Sequence, residues 1–468
     1  MFKSMKIIIA LFATAYINCS FADFNDGLKA ASKGNYAEAL KEWLPLAEQG
    51  HAGAQKYLGI MYADGRGVIR DDAKAVHWYL KAAEQGVALA QARLGIMYAE
   101  GRGTEKNDKL AAEWLNKAAE QGYADAQTKL AGLLASGKGV AGDTTQSMQW
   151  YRKAADQGQV EAQFALAGLF ATGKGVTKDD AQALLWYLKA AEQGKVEAQF
   201  IVAGMYANAT GTDKDEVKAK KWYRKAAEQG HVDAQFILAG LYTSNGAKDE
   251  ASAMQWYRKA AEQGHAEAQL ILADMYAFGR GVDRDETQAM HWYLKASIKG
   301  IALAQYNAGI RYADGRGTEK DSQQAAHWLR KAAEQGNAEA QYSLGMAYLE
   351  GNGTVQNYAT AAEWFKKAAR QGDAFSQHAL GGLYSLGKGA PVNLVVAYAW
   401  LNLAAAGRSP NAVVERDALA ARLAAKELEQ GQQLSAKWKK GALIPEVPYK
   451  QKGKPQKKKK AQTEKSVK

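Results

Sequence analysis

Small and apolar residues return along this chain on a helical beat. After an Ala-Gln dipeptide, the stretch Ala54-Gln55-Lys56-Tyr57-Leu58-Gly59-Ile60-Met61-Tyr62 places them at i, i+4 and i+7, the spacing of one buried helical face. A loop with Gly65-Arg66-Gly67 follows, where glycine permits the backbone turn that ends a helix. A second apolar stretch opens near Asp72, carries Ala75, Trp78, Tyr79, Ala82 and Ala83, and stops at Glu84-Gln85-Gly86. The pattern predicts a helix–loop–helix unit. Alanine lets the two helices approach closely, and Trp and Tyr fill the space beside it.

The unit repeats. Its glutamine recurs as Gln55, Gln91, Gln127, Gln163, Gln199, Gln235, Gln269, Gln305, Gln341 and Gln377, in steps of 36 residues with one step of 34. Tryptophan keeps the same beat at Trp43, Trp78, Trp114, Trp150, Trp186, Trp222, Trp256, Trp292, Trp328, Trp364 and Trp400. A fixed residue in every unit reads as core rather than as a stacking ladder for a ligand. Such a period predicts an all-α solenoid of stacked repeats of about 36 residues. The short step falls between Gln235 and Trp256, so the missing residues belong to the loop near Ser244-Asn245-Gly246 and the packing faces are untouched. No proline occurs between Pro45 and Pro391, as a run of helices requires.

The run Trp78-Tyr79-Leu80-Lys81-Ala82-Ala83-Glu84-Gln85-Gly86, followed by Ala90-Gln91, Leu94-Gly95 and Met97-Tyr98-Ala99-Glu100-Gly101-Arg102-Gly103, resembles the Sel-one-like repeat family, relatives of the tetratricopeptide repeats. The resemblance implies a right-handed superhelix whose first helices line a concave face, and an adaptor or scaffold role rather than an enzyme. It organises the chain into a tetratricopeptide-like starting unit over 23–50, about ten units over 51–407, and closing helices over 408–448 that include a helical run from Glu415 to Lys437. Some cysteine-rich relatives are associated with β-lactam binding or hydrolysis. That hydrolase reading, or one directed at peptidoglycan, is the alternative to a scaffold, and paired cysteines are missing here.

Charge changes the picture only at the ends. The formal net charge is +12, but the tail over 449–468 holds nine Lys against one Glu, and the body carries little excess. This composition keeps the tail from folding and suits contact with anionic surfaces, and it gives the body no call for nucleic acid. At the other end, Lys3 and Lys6, the apolar run from Ile7 to Ile17 and Ser20-Phe21-Ala22 predict a signal peptide over 1–22. Cleavage after Ala22 would send a monomer to the periplasm or the exterior, with no membrane span. It would also remove Cys19, the sole cysteine, and with it any thiol chemistry.

Little else suggests catalysis. The Gly-x-Gly loops follow helices rather than strands, so they read as helix terminators and not phosphate cradles. Their basic residues Arg66, Arg102, Lys138, Lys174, Arg280, Arg316 and Lys388 would line one edge. His77, His291 and His327 precede repeat tryptophans, and His51, His231 and His265 follow the terminating glycine, so no metal set converges and no cofactor is expected. Recognition then falls to positions where the units differ. Two residues after the glutamine stand Tyr57, Arg93, Lys129, Ala165, Ile201, Ile237, Ile271, Asn307, Ser343 and Ala379. Ile201, Ile237 and Ile271, preceded by Phe200, Phe236 and Leu270, are expected to form an apolar floor for a protein partner, from the envelope or from a host. Asp274 and Arg311 stand where apolar or small residues are usual, as a mutual pair or as polar selectors.

Overall fold

A computed structural model describes residues 23–243 and 249–450. The leader-like segment, the shortened loop at Ser244-Asn245-Gly246 and the tail beyond Lys450 lie outside the described residues. Among those described, the chain is helical throughout, with two helices to a unit and no strand. It is an all-α solenoid of tandem repeats, and it divides into two compact bodies between His231 and Val232.

Each unit is punctuated as its sequence dictates. The first helix Ala52–Asp64 ends at Gly65, whose φ of 71° is left-handed and whose N–H caps Met61 O. The second, Asp72–Glu84, begins at Asp71, whose carboxylate accepts the Lys74 N–H at 2.9 Å. The Asp71 N–H in turn donates to Tyr62 O at 2.9 Å, pinning the loop to the helix before it. The same aspartate or asparagine cap recurs at Asn107, Asp143, Asp179 and Asp215 and, in the C-terminal body, at Asp285, Asp321, Asn357 and Asn393.

In most of the described loops two glycines occur, with different work; in the loop of Gly211 the first is replaced by Ala209, at φ 56°. The first terminates a helix, as the sequence suggests. The second touches the preceding unit: at Gly103, φ is 68° and a Cβ would stand 2.1 Å from the carbonyl oxygen of Asp72, at the start of that unit's second helix. Gly139, Gly211, Gly317 and Gly353 make the same approach to Asp108, Asp180, Glu286 and Ser322.

A glutamine ladder runs beside this backbone contact. Gln91 is buried; its amide donates to Ala83 O at 3.0 Å, and its oxygen accepts from Gln121 at 2.7 Å. Gln121 also reaches back to Gly86 O at 3.0 Å, so one amide ties the end of one unit to both helices that adjoin it. The rung recurs from Gln55–Gln85 to Gln199–Gln229 in one body and at Gln235–Gln263, Gln305–Gln335 and Gln341–Gln371 in the other. It is missing at Gln269, because Lys299 stands where the donor glutamine belongs. The buried Gln269 Oε1 has no hydrogen-bond partner.

The C-terminal end departs from expectation. The run from Glu415 to Lys437 is two helices, Ala412–Ala420 and Ala425–Lys437, because a turn at Arg422 closes the first and Glu427 reaches back at 2.8 Å to the Ala424 N–H that starts the second. Both pack on Leu394–Ala406, whose Val395, Val396, Ala399, Trp400 and Leu401 are buried.

Two stability measurements test this account. Lys299→Gln supplies the missing donor and is expected to stabilise the chain by about 1 kcal/mol, the net worth of a buried hydrogen bond, read as a higher denaturation midpoint; an unchanged or lower midpoint refutes the ladder. Gly122 and Gly103 both have positive φ, but only Gly103 is crowded. Gly122→Ala should cost about 1 kcal/mol in backbone strain, and Gly103→Ala about 1–3 kcal/mol beyond it from overpacking. Equal losses would remove the inter-unit contact from the account.

Candidate functional site

The tryptophan column is core, as its regularity implies. Trp43, Trp186 and Trp400 are 1–2% exposed, Trp78, Trp222, Trp292 and Trp328 are also buried, and the rest are half-buried. A lysine three residues on lies over the ring in unit after unit, at 3.7 Å for Lys189 on Trp186 and for Lys367 on Trp364. These lysines are occupied in covering the core.

Several other conspicuous residues serve the scaffold. His51 and His265 cap first helices, accepting the N–H of Ala54 and of Ala268 at 3.1 and 3.2 Å. His231 stacks on Phe200, and His265 on Phe236, each with ring centroids 4.3 Å apart. Among the described residues no group of His, Cys, Asp and Glu is gathered for a metal. Most of the basic loop edge is engaged locally: Arg66 with Asp64, Arg102 with Asp72 and Glu100, Arg316 with Asp314, and Lys388 over the ring of Tyr358.

What varies among units lies on the first helices. In one arrangement glycine stands four residues after the glutamine and receives the side chain that follows the tryptophan: a Cβ at Gly95 would meet Leu115 at 2.8 Å, and one at Gly345 would meet Phe365 at 2.6 Å. Ile96 and Met346 occupy the next position. In the other, alanine takes the inner position and glycine the next, and the residue after the tryptophan is tyrosine. The hydroxyls of Tyr151, Tyr187 and Tyr223 then rise beside Gly132, Gly168 and Gly204, where a Cβ would meet them at 3.4–3.6 Å. Tyr257 repeats this beside Gly240 in the second body. Burial raises the pKa of all four, so each hydroxyl keeps its proton. The glycine shift, Leu-Gly-Ile against Leu-Ala-Gly, is the signal in the sequence that would have identified these hydroxyls.

Ile201 of the N-terminal body, and Ile237 and Ile271 of the C-terminal body, occupy equivalent first-helix positions and are half-buried. Their aromatic neighbours Phe200 and Phe236 are packed edge-on against Tyr223 and Tyr257, at 5.7 Å in each case. Asp274 and Arg311 are joined through a third residue. The Tyr293 hydroxyl donates to Asp274, and the Tyr293 ring lies 4.6 Å from the guanidinium of Arg311. Arg311 is 4% exposed and ion-paired with Glu286 at 3.1 Å. Neither Tyr293 nor Glu286 had been singled out, since each belongs to the second helix that packs on these positions.

Three successive first helices of the N-terminal body wall a cavity of about 720 Å³ that exposes Arg93, Lys129 and Ala165 from the variable column, together with Gly132 and Tyr151. In the C-terminal body Ser343 and Ala379 of the same column line cavities of about 250 and 480 Å³. The variable positions thus open onto grooves.

The Sel1 repeat pattern matches ten consecutive segments, 52–87, 88–123, 124–159, 160–195, 196–231, 232–265, 266–301, 302–337, 338–373 and 374–409. The chain is similar to c5321, a protective antigen of uropathogenic Escherichia coli displaying an SLR fold. The two are 35% identical over 92% of this chain and 97% of that one, with a TM-score of 0.71. A Sel1 repeat protein from Oxalobacter formigenes is 34% identical over 51% of this chain and 96% of its own, with a TM-score of 0.46. No curated protein sequence matches.

Burial raises the pKa of Asp274, outweighing its hydrogen bond from Tyr293 and the nearby Arg280 and Arg311. A carboxyl with a folded pKa above its unfolded value opposes folding once ionised. The penalty is absent below about pH 4 and complete above the folded pKa. Asp274→Asn, which keeps an acceptor for Tyr293, is therefore expected to be at least as stable as wild type at pH 7, with the difference vanishing at pH 3. Denaturant titrations at the two pH values check the sign, and a variant less stable at pH 7 contradicts it.

Proposed function

Because the chain belongs to the Sel1 repeat family, we propose that it is an exported scaffold that docks a protein partner on the face formed by its first helices. Sel1 repeats commonly mediate protein–protein interaction, and their solenoids are typically non-catalytic. The observation that carries the reading is the coincidence of variability with open space: Arg93, Lys129, Ala165, Ser343 and Ala379, from a column that differs between units, line grooves. Ile237 and Ile271 supply apolar floor on that face, with Ile201 its counterpart in the N-terminal body, while Asp274 and Arg311 act by setting the shape of the surface around Tyr293. Export to the periplasm or beyond is supported by the basic, apolar and small-residue pattern over 1–22 and by the likeness to a protective antigen.

The test is site-directed photo-cross-linking in envelope extract and in host serum. A photoreactive residue at Ala165 or Ser343 should cross-link to a partner protein, whereas one at Val217, 82% exposed on a second helix, should not. Ile237→Glu is expected to weaken binding of that partner by about 1–3 kcal/mol at unchanged melting temperature. Cross-links from Val217 alone would move the docking face elsewhere.

A further inference from the structure

The cavity of the N-terminal body carries a more specific message, which rests on the first-helix face being the docking surface. Arg93 and Lys129 occupy the variable column in neighbouring units, both exposed on the cavity wall, and no other unit places a cation there. Three carboxylates share the wall, and each is already engaged. Glu100 pairs with Arg102 at 3.7 Å, Asp125 accepts from the Gln159 amide at 2.7 Å, and Glu161 pairs with Lys195 at 2.9 Å. Among the described residues neither Arg93 nor Lys129 has an ion-pair partner. Gly132 and Tyr151 line the same cavity, and beside Gly132 the Tyr151 hydroxyl has no protein acceptor among the described residues. Its pKa is raised by burial, which keeps it a donor at neutral pH.

We propose that this cavity receives the carboxylates of an acidic peptide segment of the partner, paired with Arg93 and Lys129 and hydrogen-bonded by Tyr151. A cation beside a bound carboxylate is worth most where it has no ion-pair partner of its own and apolar walls limit access to water. Ile96 and Phe164 are such walls. The extent of the charge selects a peptide over a regular polyanion: the column continues from Lys129 to Ala165 and Ile201, so a uniformly charged polymer would meet neutral surface after two units.

The probe is a fluorescein-labelled dodecapeptide of alternating Glu and Ala, compared with its Gln counterpart by anisotropy on the full chain. Wild type should prefer the Glu peptide by tenfold or more, on the order of one charge-assisted contact, with the preference falling as salt rises. Arg93→Glu/Lys129→Glu should abolish it, and the milder Arg93→Gln/Lys129→Gln serves if the reversal disturbs folding. Tyr151→Phe should weaken the Glu peptide about tenfold without moving the melting temperature, whereas a purely structural hydroxyl would shift melting and leave affinity alone. Equal affinity for the two peptides, or binding indifferent to these substitutions, overturns the proposal. Tighter binding of dextran sulfate, lost in the same variants, overturns it in favour of a polysaccharide. Cross-linking from Ser343 separates the two levels: if it persists while the peptide fails, the docking face stands and this site falls. If the peptide behaves as expected and no protein cross-links from Ala165 or Ser343, the acidic-segment site stands and the broader reading falls.

Discussion

Within each body, units lean on their predecessors largely through backbone atoms. At Gly103, Gly139 and Gly211 in one body, and at Gly281, Gly317, Gly353 and Gly389 in the other, the glycine lies against the first carbonyl of the previous second helix, closer than any Cβ permits. That approach fixes the distance between units, and the glutamine rungs fix their rotation, because a buried amide must satisfy both its donor and its acceptor at once. Alanine and tryptophan then fill a space whose dimensions are already set. The core is in this sense a consequence of the seam. The unpartnered oxygen at Gln269 shows that the array tolerates one missing rung while the backbone contact holds.

The same division of labour explains where specificity can reside. Residues facing the seam or the core vary little and, when they do, as at Lys299 or Arg311, change the contacts around them, while the outer side of each first helix has more freedom to change. Two ways of seating the residue after tryptophan follow. When glycine is in the inner position, as at Gly95 and Gly345, the side chain above it is buried and an isoleucine or methionine takes the next position. When glycine moves outward by one, a tyrosine passes through and its hydroxyl reaches the groove. A small change in sequence thereby converts an apolar patch into a hydrogen-bond donor at a fixed depth.

Much of this was legible in the residues themselves. The second helix read from Asp72 to Glu84 begins and ends there, and the tryptophan column is core, because helix caps and apolar periodicity are local properties. What sequence alone did not reveal is contact between units. The glutamine rung joins residues 30 apart, and nothing within one unit distinguishes a capping glycine from one that touches the unit before. Asp274 and Arg311 read as each other's partners or as polar selectors because both break the pattern. Their true neighbours, Tyr293 and Glu286, fit the pattern well and so drew no notice. The split of the closing helix at Arg422 was hidden for a related reason: alanine-rich segments favour helix throughout, and only the Glu427 cap marks the restart.

A seam built from backbone atoms is the same seam wherever it recurs within a body. Recombination that adds or removes one whole unit leaves both flanking units with contacts they already make, so no compensating substitution is needed. Array length is therefore free to change in a single genetic event. The outer column of each new copy then starts as a duplicate and can diverge on its own, which lets the chain lengthen its surface first and specialise it afterwards.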